Sequence, residues 1–308
     1  MMKDYFISKR LGYQSLLTAA LLFLVAHSLF ANTLPENHSV NGGVTIIPID
    51  IKQKPEVYFE NKKIAVIPSS KPNQWLLLVG IPLDKQQSIQ NLVMTKPYRM
   101  SIPFHVTDKY YATQYLTIKD ERLANPYAED KIRIDQENKE MTAIYSQFTP
   151  NNPFIEGFKA PAHGPITSLF GLKRFYNNLP WPPHSGLDIG APQDTPVHVI
   201  AKGNVVSTKE YFFTGNTVIV DHGMGVFSLY AHLKRIDVKV GDHLQQGASV
   251  GTVGMTGRAT GPHLHWSMVM NQTLVDPLLF VPLRVITAVP ATNKIVQKTT
   301  QPTSNLNQ

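Results

Sequence analysis

Thr260-Gly-Pro-His-Leu-His-Trp-Ser-Met-Val-Met270 is the stretch on which the fold turns. Along an extended chain, successive side chains point to opposite faces. His263 and His265 therefore share one face, while Leu264 and Trp266 point to the other and can fill a core. Pro262 brings no N–H to a ladder and is tolerated because it stands at the strand start. Two imidazoles on one face of an apolar strand have no ready structural purpose, and if buried each needs a hydrogen-bond partner.

Outward from this strand, residues 154–285 are punctuated by glycine and carry short strand signals. These are Pro196–Ala201, Gly203–Glu210, Thr217–Asp221, Val226–Ala231, Ser249–Val253 and His263–Met270. No amphipathic helix stands among them, so the pattern predicts a twisted all-β domain with tight turns. Upstream, residues 40–120 hold about seven strand candidates: Val44–Ile51, Glu56–Glu60, Lys63–Pro68, Trp75–Ile81, Ser88–Met94, Arg99–Val106 and Gln114–Ile118. Their spacing suggests a small antiparallel β-sandwich-like domain with a binding or regulatory role. Its one histidine on a strand, His105, reads as structural.

Between the two, residues 125–149 read as a linking helix. Asn125-Pro126 supplies a cap and a first-turn proline, and Glu129 and Asp130 suit the helix dipole. Ile134, Met141, Ile144, Tyr145 and Phe148 approximate one apolar stripe.

The N-terminus sets the address. Lys9 and Arg10 precede a short apolar run from Leu16 to Ala26, followed by a small residue at Ala31. This fits a secretory signal peptide over 1–31, and the run is short for a membrane anchor. The chain is expected to be exported, to the periplasm in the first instance or to the extracellular space, with no stable membrane anchor after cleavage. The tail over 287–308 is polar and is expected to be disordered.

Composition narrows the partners. A hydrophobic content of 43% with 17% charged residues suits a folded protein. No cysteine is present, so disulfides and thiolate metal ligands are excluded. The net charge of +7 becomes +5 once Lys3, Lys9, Arg10 and Asp4 leave with residues 1–31. A basic exported chain is drawn to anionic cell-wall polymers or lipid head groups. Without a clustered Lys/Arg stripe or a nucleic-acid motif, nucleic acid is not the expected partner.

Seven of the eleven histidines fall between His184 and His265. His184-Ser-Gly-Leu-Asp188 sets an imidazole and a carboxylate on one side of an extended segment. His263 and His265 share a strand face, and His232 follows Tyr230-Ala at a strand end. Hydrolysis at zinc needs three protein ligands and one open position, a need that two histidines and one carboxylate meet. Further histidines can then orient a water, take its proton or stabilise an oxyanion. Spacing alone does not say which of His263 and His265 binds metal.

In this domain the sequence resembles the lysostaphin/LytM-type zinc endopeptidases. Phe170-Gly171, His184-Ser-Gly-Leu-Asp188, Thr195-Pro-Val197, Asp221-His-Gly223, Tyr230-Ala-His-Leu233, Gly254-Met-Thr-Gly257, Thr260-Gly-Pro-His-Leu-His265 and Val275-Asp-Pro277 stand in the family's order. The resemblance covers roughly residues 160–280. It implies a LytM-type antiparallel β domain with a groove over one zinc ion per chain, held by His184, Asp188 and His265. His232 and His263 are then the catalytic histidines. The implied substrates are peptide cross-links of peptidoglycan, attacked by a zinc-bound water. On that pattern His263 is expected to orient and deprotonate the water and His232 to stabilise the oxyanion, with the two roles exchangeable. Ser267 departs from the pattern, since many members carry Glu there. The segment Arg174–Pro183 is expected to wall the groove, with Tyr176 and Trp181 either touching substrate or packing the loop. His163, His198, His222 and His243 read as structural.

Two other readings compete. One is a non-catalytic LytM-like protein that binds cell wall or activates another hydrolase. The other is an adhesive or structural envelope module with the N-terminal β domain as its working part, binding without turnover. On any of these readings the N-terminal domain is also a candidate to bind an envelope protein partner.

Overall fold

The computed structural model describes residues 33–287. The expected signal peptide and, apart from Thr287, the polar tail lie outside the described residues. Among them, no helix is long and apolar enough to cross a membrane.

The N-terminal strands are β1 (Val44–Asp50), β2 (Glu56–Phe59), β3 (Lys62–Lys63), β4 (Ala65–Pro68), β5 (Gln74–Gly80), β6 (Ser88–Lys96) and β7 (Met100–Val106). They form two antiparallel sheets, ordered β1-β5-β4 and β3-β2-β6-β7. Alternate residues of both sheets, among them Phe59, Leu77, Leu92, Met94 and Phe104, bury one another in a single cluster. At the hairpin between β2 and β3, Glu60 and Asn61 take positive φ. That is the backbone a tight two-residue connection demands.

The next strand, β8 (Thr113–Leu116), departs from the sandwich. It lies parallel to β10 (Lys173–Tyr176), whose other edge pairs with β11 (Leu179–Trp181). The strand expected over Gln114–Ile118 therefore exists but belongs to a small sheet beside the second domain. Two helices follow, α1 (Glu121–Ala124) and α2 (Ala128–Tyr145). The apolar stripe expected of the linking helix is only half the story. Met141, Ile144 and Tyr145 pack on Phe227 and Leu229 of the large sheet. Toward the helix start, two buried carboxylates replace apolar contacts. Asp130 accepts from Arg122 Nε at 2.7 Å, and Glu137 accepts from Arg133 Nε and from the backbone N–H of Phe212.

The second domain comprises β9 (Ile166–Ser168), β10, β11, β12 (Leu187–Gly190), β13 (Pro196–His198), β14 (Gly203–Tyr211), β15 (Gly215–Gly223), β16 (Val226–Ile236), β17 (His243–Leu244), β18 (Ser249–Val253), β19 (His263–Met270) and β20 (Thr273–Val275). Its main sheet runs β17-β14-β15-β16-β19-β12-β9, with β18 joining β13 to β16 and β20 pairing with β19. The chain is thus mostly β, as expected. Leu264 and Trp266 are fully buried, on the face that alternation assigns them.

One hydrophobic core crosses the junction between the domains: Val44, Ala65, Ile67 and Leu78 cluster with Trp266, Met268, Met270 and Val275. Asn271 completes the join. Its Nδ2 donates to Gly80 O at 3.0 Å, and its Oδ1 accepts from Gly80 N at 2.7 Å. The side chain thereby imitates a neighbouring strand. Gly171 shows how close the approach is. Its φ is +79°, and a Cβ there would meet the Tyr111 ring at 2.2 Å.

Within the core, His222 is enclosed. Its Nδ1 donates to Lys202 O at 2.9 Å, and its Nε2 meets Ser228 Oγ at 2.7 Å. Burial pushes it down to about 4, so it is neutral in the fold. The unfolded chain takes up this proton from about pH 6.5 downward. Stability from this group is therefore fully present above 6.5 and is lost as the pH falls toward 4.

Asn271→Ala leaves two buried backbone groups of Gly80 unpaired and should cost about 3 kcal/mol in urea unfolding. In metal-free protein, His222→Gln should remove about 3 kcal/mol of the stability that the native chain loses between pH 6.5 and 4; an unchanged pH slope would contradict the assignment.

Candidate metal centre and its histidines

Strand pairing builds the centre. β12 and β19 are antiparallel neighbours, with Asp188 directly opposite His265. His184 enters from the loop before β12. Its backbone is fixed by Gly171 N–H donating to His184 O and by His184 N–H donating to Leu172 O, both at 2.9 Å. His184, Asp188 and His265 are all buried, and one ligand atom of each lies within 4.8 Å of the others. Asp188 Oδ1 stands 3.0 Å from His184 Nε2 and 2.8 Å from His265 Nδ1, and the two ring nitrogens are 3.1 Å apart.

The outward nitrogens explain what this cluster can hold. His184 Nδ1 lies 2.7 Å from Leu169 O, which can only accept. The neutral ring therefore carries its proton there and turns a lone pair from Nε2 toward Asp188 and His265. Lone pairs facing one another in a buried site repel unless a proton or a cation lies among them. Burial pushes His265 down to about 4, so the ring does not take up a second proton, and its single proton lies either on Nδ1 toward Asp188 or on Nε2 toward Ser267. A divalent ion suits two imidazole nitrogens and one carboxylate oxygen well. Asp188 stays ionised: burial pushes its carboxyl up, but His184 and His265 outweigh that and hold it well below the usual range.

His232 and His263 complete the group. Their rings lie 4.8 Å apart, and His232 is 5.8 Å from His265 between centroids. His232, at the unusual φ of 59°, donates from Nδ1 to Thr256 O at 2.7 Å. His263 donates from Nδ1 to Gly261 O at 2.8 Å. Nε2 is thus the nitrogen that each ring turns away from its carbonyl, and His263 Nε2 is 3.8 Å from Asp188 Oδ1. Burial first, then His263 and His265, push His232 down to about 3. All five residues singled out in the sequence therefore come together, whereas His163, His198, His222 and His243 stand apart in other contacts.

The sequence did not mark what surrounds them. Arg174 on β10 donates from Nη2 to Asp188 Oδ2 at 3.1 Å and to Ser168 Oγ at 3.0 Å. Ser168 Oγ in turn donates to Gln114 Oε1 at 3.2 Å. A residue from beyond the N-terminal sandwich thus reaches the outer edge of the centre. Arg174 lay within the expected groove wall, but its partner did not show. Gln114 is 54 positions from Ser168 and carried no signal. In that wall Tyr176 and Trp181 are packing residues: with Phe213 they enclose the Arg258 guanidinium at 4.2–4.4 Å.

Comparison with known proteins follows the same division of the chain. Residues 37–109 match the peptidase family M23 N-terminal domain, and residues 182–277 match peptidase family M23. A crystal structure assigned to peptidase M23 from Pseudomonas aeruginosa is 35% identical, with a TM-score of 0.67. The match covers 80% of this chain and 96% of that one. Peptidoglycan DD-endopeptidase ShyA of Vibrio cholerae is 41% identical over 96 residues, which are 31% of this chain and 22% of ShyA. The DD-carboxypeptidase/endopeptidase Mpg of Neisseria meningitidis is 39% identical over 113 residues, 37% of this chain and 26% of Mpg. The chain thus matches about a quarter of the length of these curated relatives.

Proposed function

The chain belongs to peptidase family M23, and on that premise we propose that it is a zinc metalloendopeptidase hydrolysing peptide cross-links of bacterial peptidoglycan. The observation that carries this reading is the convergence of His184 Nε2, a carboxylate oxygen of Asp188 and His265 Nδ1 on one buried point, with two further histidines presenting Nε2 atoms beside it. The substrate class comes from the relatives, two of which are named as endopeptidases, one of them explicitly of peptidoglycan. An exported location, in the periplasm, goes with such a substrate and with the signal-like N-terminus.

When bound, zinc supplies Lewis acidity to the scissile carbonyl and acidifies a coordinated water. The chain's own residues do the rest. His263 and His232 are locked with Nδ1–H on backbone carbonyls, so Nε2 is the atom of each ring that can take a proton. His263, 3.8 Å from Asp188 Oδ1, is the nearer base for the attacking water. Once a proton has been taken, the same ring becomes the donor for the oxyanion or the leaving amine. His232 holds its place through Thr256. Burial keeps its free-base form dominant, so oxyanion stabilisation by this residue requires a proton acquired during turnover. The presence of all five side chains at the site favours this reading over the non-catalytic alternative.

Purified residues 32–308 incubated with isolated sacculi should release un-cross-linked muropeptides, and a chelator should abolish the release. Cleavage unaffected by chelator, or none under any metal condition with the fold intact, would overturn the reading. His265→Ala should lose zinc. His232→Ala should keep zinc and lose rate by about 10²–10⁴-fold, measured by metal content and turnover on one preparation.

A further inference from the structure

Three of the four histidines at the centre are locked by backbone carbonyls: His184 by Leu169, His232 by Thr256 and His263 by Gly261. A carbonyl only accepts, so each of these rings has one neutral tautomer available. His265 differs. Its outward Nε2 meets two hydroxyls, Ser267 Oγ at 3.0 Å and Ser185 Oγ at 3.3 Å. A hydroxyl can donate or accept. We propose that Ser267, with Ser185 behind it, is the positioning residue that lets His265 change tautomer as a metal ion enters and leaves.

The two states follow from the contacts. His265 Nδ1 lies 2.8 Å from Asp188 Oδ1, a distance at which its N–H can donate to the carboxylate. Nε2 then carries the lone pair, and a serine hydroxyl donates to it. With an ion, Nδ1 must offer its lone pair, the proton resides on Nε2, and the serines accept. The two hydroxyls can serve either tautomer.

The enclosure is tight. Ser267 is 1% exposed, and a Cβ on Gly186 would fall 2.7 Å from Ser267 Oγ and 2.9 Å from His265 Cε1. Gly186 therefore leaves room for the hydroxyls and little else. A carboxylate at position 267 would only accept and so favour the Nε2–H form, whereas the Ser267 hydroxyl can serve either form. Outer partners of metal-bound histidines typically change metal affinity by 10–100-fold when removed.

This inference rests on the metal reading of the site, and its test separates the two. Zinc affinity is measured by competition with a chromogenic chelator for the native chain, Ser267→Ala and the Ser185→Ala/Ser267→Ala double variant. Nitrogen NMR of the His265 ring is recorded with and without zinc. The double variant should bind zinc at least about tenfold more weakly, with Ser267→Ala in between. The native ring should show Nδ1–H without zinc and Nε2–H with it. Affinity in the folded double variant within about twofold of native overturns the proposal. So does a native ring that stays Nε2–H in both states, and this measurement stands even if the double variant fails to fold. A native chain that binds no zinc overturns the metal reading itself.

Discussion

The crowding of one carboxylate oxygen and two imidazole nitrogens into a single buried point is the constraint on which the rest of this structure depends. Asp188 Oδ1, His184 Nε2 and His265 Nδ1 lie 2.8–3.1 Å apart in a buried site. Left to themselves they would separate. The register of β12 against β19 fixes two of them, and the backbone tie between His184 and the segment at Gly171 and Leu172 fixes the third. Every outward nitrogen is held as well, so the rings cannot turn away. Arg174 occupies the second oxygen of Asp188. Such pre-organisation leaves a cation as the natural occupant.

The N-terminal half is part of this arrangement rather than an appendage. A shared core, the Asn271–Gly80 pairing and the seat of Tyr111 over Gly171 leave little freedom at the junction. From that junction β8 runs beside β10 and brings Gln114 to Ser168. The wall of the site is thus a three-stranded sheet drawn from both sides of the linking helix. Its inner face carries Arg174 toward the centre. Tyr176 and Trp181 of the same wall clasp Arg258, which belongs to the loop between Thr256 and His263. Movement of one wall would be felt by the other.

Local pattern made much of this readable. Alternation along His263–Met270 gave the strand and its two faces, and the strand has the bounds that pattern assigns. Glycine and asparagine marked the turns. Spacing gathered the five site residues, while only the family resemblance separated His263 from His265. What stayed hidden was set by distant partners. Strand β8 looks like any other short strand, and nothing local says that it leaves the sandwich. The linking helix buries Asp130 and Glu137 because Arg122, Arg133 and the Phe212 N–H happen to meet them. A stripe of apolar residues cannot report such pairings. Ser267 was visible as a departure from the family, but its meaning appeared only beside Ser185 and the ring of His265.

Anomalous diffraction at the zinc edge, from crystals of the native chain, addresses the central claim most directly. The account predicts a single peak bounded by His184 Nε2, Asp188 Oδ1 and His265 Nδ1, with His232 and His263 outside the coordination sphere. A peak ligated by His263 in place of His265, or no peak in zinc-loaded crystals, would contradict it.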